Sequence, residues 1–214
     1  GDVRAGVWSR SVCINDSLDN GSMLPQIKFA VENGMSCLIL NPNFCDKDTD
    51  GMRINPRVAP GTKHCLYVWK KYVVERCQAK EIFVLAHSKG GKWLEEIYKR
   101  FTAFFSQRVT AVALTDSVHK DFREDLIDQK EIDWLEDNAI HFIRSSEPLD
   151  TEIPAENKKD KWIPTYSAGH PKHEFTTGTS WMAIQDYFSE MSKNKIKITR
   201  QTGYSKYAYP EKVE

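Results

Sequence analysis

The sequence predicts an α/β-hydrolase-like domain, a mostly parallel sheet with helices on both faces. Three observations carry that prediction. Short apolar runs alternate with segments of helical periodicity along nearly the whole chain, the pattern of strands covered by crossover helices. The most hydrophobic run, Glu81 to Ala86, leads straight into His87-Ser88-Lys89-Gly90-Gly91 and a helical segment. That is the strand, tight turn and helix a nucleophile elbow requires. Acidic residues and then a histidine follow Ser88 at the ends of later runs, the chain order of a hydrolase relay.

Taken in order, Trp8 to Ile14 reads as a first strand, Asn15-Asp16-Ser17 as a turn, and Met23, Leu24, Ile27, Ala30 and Val31 as one face of a helix ending at Gly34. Ser36 to Leu40 reads as a short buried strand, and Asn41 to Lys63, with three prolines, as a loop or lid. A helix carrying Leu66, Trp69, Tyr72, Val73 and Cys77 precedes Glu81 to Ala86, whose hydrophobicity places it at the sheet centre. The helix after Ser88 turns Leu94, Ile97, Tyr98, Phe101 and Phe105 inward. Val109 to Leu114 is the next strand, ending at Thr115-Asp116-Ser117. A charged helical segment through Ile132, Trp134 and Leu135 follows, then a strand from Ala139 to Ile143 that leads into Ser145 to Asp150. A Lys-rich loop separates it from a last strand, Trp162 to Ser167, and Trp181, Ile184, Phe188 and Met191 mark the closing helix. Residues 1–193 thus form a single domain and 194–214 a basic, tyrosine-bearing tail.

At 214 residues and 40% hydrophobic, the chain can bury one core and is short for two domains. Thirty Lys and Arg balance thirty Asp and Glu, which removes the electrostatic case for a general nucleic-acid binder. Interleaved Lys193, Lys195, Lys197, Arg200 and Lys206 with Tyr204, Tyr207 and Tyr209 could contact RNA, but a solvated tail is the commoner outcome of such a composition. No run approaches the roughly 18 apolar residues of a membrane span, and the start lacks a signal core, so no membrane partner is expected. Gly1 in place of an initiator Met is expected of a fragment or processed product. Five cysteines without a C-x-x-C pair fit reduced thiols in a nuclear or cytoplasmic setting. The sequons at Asn15 and Asn20 are set aside as chance matches. Metal-ligand spacings are absent from the sequence, so neither metal nor cofactor is expected.

Small residues must flank an elbow serine so that its hydroxyl stands clear of the sheet, and Ala86, Gly90 and Gly91 supply them. Alone, the pentapeptide fits equally a serine that caps a helix. Chain order favours catalysis: Ser88 would attack a carbonyl, His173 would take its proton, and a carboxylate would fix the imidazole. Asp150 ranks first for that carboxylate, then Glu147, then Asp116, and His170 competes with His173. Each of these acids taken singly reads more simply as a surface or capping residue. The oxyanion donors would be the Lys89 amide and the loop Asn15-Asp16-Ser17, although an aspartate there opposes a developing oxyanion. The Lys89 side chain could offset that charge.

Several stretches resemble the Argonaute-binding-protein-two (Arb2) domain family, in particular animal cotranscriptional regulators. They are Ile14 to Leu18 with Leu24-Pro25, Leu38 to Asn43, Tyr67-Val68-Trp69, Ala86-His87-Ser88, Val109 to His119, Ser145 to Thr151, and Ser167-Ala168-Gly169 with His173-Glu174. VTAVALTDSVH and SSEPLDT are the specific blocks. The resemblance implies an α/β-hydrolase-like fold, puts Ser88 and His173 on family positions, and prefers His173 to His170. It also implies partners in Argonaute silencing, chromatin and splicing, and a nuclear or cytoplasmic location. The charged insertion of animal members is short here, covering only Phe44 to Lys63. Two functions therefore stand: an interaction module that retains a Ser-His-acid site, or an active serine hydrolase for a small ester, thioester or amide.

Overall fold

The computed structural model describes residues 3–44, 61–119, 128–154 and 163–193. The expected tail, the Lys-rich loop and most of the expected lid lie outside them. Four parallel strands, β1 (Ile82–His87), β2 (Val109–Thr115), β3 (Ala139–Ile143) and β4 (Thr165–Ser167), lie side by side in chain order. β2 is the apolar spine, with six of its seven residues buried. Period-two alternation sends Val112 and Leu114 to one face and Ala111 and Ala113 to the other, and a register irregularity at the start of the β1–β2 pairing lets Val109 join the Leu114 face.

The Leu114 face is covered by α4 (Gly61–Val68), which continues as π-helical turns through Trp69–Val74, by α5 (Gly90–Arg108) and by α6 (Gln129–Asn138). Leu94, Ile97, Tyr98 and Phe105 of α5 sit at helical spacing and are at most 4% exposed, so this helix is held by its apolar stripe. Tyr98 packs edge-on to Phe105 and flat on Trp134, while its hydroxyl donates to the Glu131 carbonyl. Each such ring pair adds about 0.5–1.5 kcal/mol beyond its buried area. The Ala113 face is covered by α7 (Thr176–Met191) through Ile184 and Phe188. Helices thus cover both faces of a parallel sheet, as expected.

The N-terminal quarter departs from expectation. Trp8 to Ile14 is not a strand: it holds α1 (Arg10–Asn15), and Leu18–Gly21 forms α2. The Ser9 hydroxyl accepts from the Val12 amide and the Ser17 hydroxyl from the Asn20 amide, so two N-caps outweigh the β-propensity of the run. Only Val12 of α1 is buried, and Ile14 points to solvent. α3 (Leu24–Glu32) ends where expected, because Gly34 takes φ +67° and the Met35 and Gly34 amides close on the Ala30 and Val31 carbonyls. Its inner face is Phe29 and Ala30 rather than Leu24 and Val31, with Phe29 edge-on to Trp181.

Among the described residues Ser36 to Leu40 pairs with no strand, and Leu38 is exposed. Since neither early run joins the sheet, β1 lies at its edge among the described residues, not at its centre, and all but Ala86 of its side chains are half-buried. Cys13, Cys37, Cys65 and Cys77 are free thiols. No helix among the described residues is long and apolar enough to cross a membrane.

α2 is docked on the start of α7 at Gly178, where a Cβ would stand 2.6 Å from the Asn20 Cα and 2.7 Å from its carbonyl oxygen. Backbone cannot yield as a side-chain tip can. Gly178→Ala should therefore lower stability by about 1–3 kcal/mol despite alanine's better helix propensity. Urea unfolding monitored by circular dichroism checks this, and an unchanged midpoint would show that α2 moves freely.

Candidate active site

Three side chains meet at the carboxyl ends of the strands, the edge where open parallel sheets place their ligand sites. Ser88 follows β1, Asp116 follows β2, and His173 comes after β4 in a 3₁₀ turn (His173–Phe175) that runs into α7. His173 Nε2 lies 2.9 Å from Ser88 Oγ and its Nδ1 2.5 Å from Asp116 Oδ2. Both ring nitrogens are thereby engaged. With Nδ1–H donating to the carboxylate, the Nε2 lone pair faces the serine, the arrangement a general base needs.

The backbone is strained at two of these positions. Ser88 has φ +54° and Asp116 φ +38°, each costing about 1–3 kcal/mol that surrounding structure must offset. The Ser88 amide donates to the Thr115 carbonyl at 3.0 Å, and the Val118 amide donates back to the Ser88 carbonyl at 2.7 Å. The Asp116 amide donates to the Phe142 carbonyl of β3 at 2.7 Å. Gly91 is a geometric necessity, because a Cβ there would lie 1.6 Å from Ser117 Oγ.

Asp116, third by sequence ranking, is thus the carboxylate that meets His173. Asp150, ranked first, has left-handed backbone of its own (φ +67°) with its amide on the Ser167 carbonyl, and its side chain is exposed. Glu147 is exposed too, its amide on Ser145 Oγ and its carbonyl receiving the Ser167 hydroxyl. Neither finds a free nitrogen on His173. His170 stacks on Phe175 with ring centroids 4.3 Å apart, and its Nδ1 accepts from the Lys172 amide.

Lys89 is the N-cap of α5, so its amide is among those a helix start leaves without an intrahelical acceptor, and its ammonium lies over the Trp93 ring. Asn15, Asp16 and Ser17 do not follow a strand: Asn15 ends α1, and Asp16 and Ser17 link it to α2. The Asp16 carboxylate accepts from Asn20 Nδ2 and Ser17 Oγ, and these bonds hold its pKa below the usual carboxylate value. The Ser17 hydroxyl caps α2, and the Asp16 amide closes α1 on the Val12 carbonyl. Among the described residues, no three His, Cys, Asp or Glu side chains converge as a metal centre requires.

Sequence reasoning passed over the layer beneath the relay. His87 Nδ1 sits at the Thr115 carbonyl and hydroxyl, and that hydroxyl contacts Thr177 at 2.6 Å. The His87 ring lies 4.7 Å from that of His173 and meets Trp8 edge-on. Arg144, exposed, brings Nε to 3.9 Å from Asp116 Oδ2, a rim contact of small energetic weight. The signal was legible in one respect only: the polar run Thr115-Asp116-Ser117 follows the most fully buried strand.

A serine, a histidine and an aspartate joined by hydrogen bonds at the ends of parallel strands thus mark the candidate site of an α/β domain. The chain belongs to the Arb2 domain family, whose model matches residues 46–149. That match takes in Ser88 and Asp116, and His173 lies beyond it. The chain is 30% identical to the cotranscriptional regulator ARB2A homolog of Gallus gallus, over 97% of this chain and 62% of that protein. It is 30% identical to cotranscriptional regulator ARB2A of Homo sapiens, over 91% and 58%. A FAM172 family protein homolog from Caenorhabditis elegans is 34% identical over 55% of this chain and 36% of its own. The chain spans about three fifths of the length of the first two relatives. No solved structure matches it.

Burial and the adjacent His173 push the His87 pKa from 6.5 down to about 4. The unfolded chain takes up this proton near pH 6.5 and the folded chain only near 4, so stability is full above 6.5 and falls as pH drops through that window. Between pH 7 and 4 the wild type should lose on the order of 3 kcal/mol more than His87→Phe. Urea unfolding across the range checks it, and parallel pH profiles for the two chains would count against a neutral, buried His87.

Proposed function

We propose that this chain is a regulatory Arb2 domain that retains working serine-hydrolase chemistry on an α/β-hydrolase-like fold. The observation that carries the reading is the unbroken Ser88–His173–Asp116 relay, with 2.9 Å and 2.5 Å links. Ser88 Oγ attacks the carbonyl carbon of a small ester, thioester or amide while its proton passes to His173 Nε2. The imidazolium is stabilised by Asp116, and the Lys89 amide faces the developing oxyanion. The tetrahedral adduct collapses, the leaving group takes the proton from Nε2, and an acyl-Ser88 remains. Water then attacks the acyl carbon and gives a proton to Nε2, which passes it to Ser88 Oγ as the acyl carbon–Oγ bond breaks, releasing the carboxylic acid and restoring Ser88 and neutral His173.

A second reading, a domain that binds protein partners through this fold without turnover, is favoured by one observation. Of the Asn15-Asp16-Ser17 segment expected to supply the second oxyanion donor, the Asp16 amide is bonded to the Val12 carbonyl and the Ser17 hydroxyl caps α2. Names of the relatives support a nuclear role in cotranscriptional regulation under either reading. Argonaute, chromatin or splicing factors are the partners we propose, with direct RNA contact and membrane binding outside the proposal.

A fluorophosphonate probe distinguishes the two, since it phosphonylates only an activated serine and expels fluoride. The wild-type chain should be labelled and Ser88→Ala should not. His173→Ala and Asp116→Asn should slow labelling by about a hundredfold or more. Asp150→Asn should stay within about twofold, because Asp150 does not orient His173. A folded wild-type chain that resists the probe would leave the partner-binding reading standing.

A further inference from the structure

Beneath the relay lies a second group of histidines that the acyl-transfer chemistry does not use. His141, on β3, is 3% exposed, and its Nε2 accepts the Ser117 amide at 2.9 Å. Ser117 Oγ contacts His119 Nδ1 at 2.8 Å, and the His119 and His141 rings are 5.3 Å apart. Since the amide is the donor, Nε2 must present its lone pair, and the His141 ring is held neutral with its proton on Nδ1.

The simplest account of a buried histidine is a satisfied core residue. Its partner argues for more. Ser117 directly follows Asp116, whose φ of +38° is one that ordinary residues leave when released. Three successive amides hold this loop: Asp116 on the Phe142 carbonyl, Ser117 on His141 Nε2, and Val118 on the Ser88 carbonyl. Two of these anchors are backbone and common to any sequence. The third is a side chain, chosen by the sequence, and it sits between the relay's acid and the residue that grips its nucleophile.

We infer that His141 is a positioning residue: as a neutral acceptor it pins the Asp116–Val118 loop, keeping the carboxylate on His173 and the Ser88 turn in register. Loss of the acceptor lets the loop relax toward ordinary backbone angles, which swings Asp116 off His173 Nδ1. The kinetic part of this inference rests on the acyl-transfer reading. Its structural part does not.

Three variants separate positioning from mere filling. Glutamine carries its amide oxygen where His141 Nε2 stands, asparagine stops short of Ser117, and leucine has no acceptor. His141→Asn and His141→Leu should slow the maximal fluorophosphonate labelling rate about tenfold or more while the half-saturating probe concentration stays within about twofold. His141→Gln should keep the rate within about threefold of wild type. Hydrogen exchange at the Val118 amide, read on the same proteins, should quicken about tenfold in the asparagine and leucine variants and not in the glutamine variant. If leucine prevents folding, the glutamine and asparagine pair carries the comparison. A folded asparagine or leucine variant with wild-type labelling and wild-type Val118 exchange would overturn the inference, as would a glutamine variant that falls as far as asparagine. Should the wild type resist the probe, the hydrolase reading fails by itself, and Val118 exchange still decides whether His141 holds the loop.

Discussion

Two left-handed turns, one after each of two neighbouring parallel strands, are closed on one another, and the site depends on that closure. The Ser88 amide is bonded to the end of β2, and the Val118 amide just past β2 is bonded back to Ser88. Neither turn has a comfortable backbone alone, since Ser88 and Asp116 both have positive φ. Parallel pairing of β1 with β2, in register from Phe83 opposite Ala111 to His87 opposite Thr115, is what sets the two turns side by side. Strain at one is offset by hydrogen bonds supplied by the other, so Ser88 and Asp116 are placed together.

His173 reaches this pair from the far side of the sheet, and its position is set by helix packing rather than by strand register. It lies in the 3₁₀ turn ahead of α7, where the Thr176 hydroxyl donates to its carbonyl. α7 is fixed by Ile184 and Phe188 against the Ala111 and Ala113 face of β2. The small residues there let the helix approach the sheet closely. Thr177 on α7 then touches Thr115 on β2, and His87 on β1 touches Thr115 in turn. A short polar layer therefore couples the histidine's helix to the strands that carry the other two members. Burial keeps His87 neutral near pH 7, so it adds no charge beside His173.

The legible parts of this fold are those where local signals agree. Glu81 to Ala86, the glycine turn, the α5 stripe and Val109 to Leu114 each have one reading by hydropathy, turn chemistry and order, and each element appears there. The first forty residues show conflict instead. Valine, tryptophan and isoleucine around Ser9 and Ser11 suggest a strand, but the serine caps commit the backbone to short helices, and tertiary docking on Gly178 holds them. The position of β1 followed the same error, since a very apolar strand reads as central only if strands flank it on both sides. Sequence order puts Asp150 ahead of Asp116 because both follow strands and the later position is the usual one for the acid, and the structure reverses that ranking. What separates them is spatial: Asp116 is one strand from Ser88 and on its hydrogen-bonded loop, whereas Asp150 closes onto Ser167.

Placing the acid after β2 rather than after β3 has a mechanical consequence. With the acid one strand further on, nucleophile and acid would be held by separate loops, and each could shift without the other. Here a single segment, Thr115 to His119, carries the Asp116 carboxylate, accepts the Ser88 amide and returns an amide to Ser88. The same segment is buried at Ser117 and His119 yet exposes nearly half of the Val118 side chain. Its backbone thus supports the relay from within while one side chain of it forms part of the surface. Val118 therefore belongs to the surface by its side chain and to the Ser88 turn by its amide.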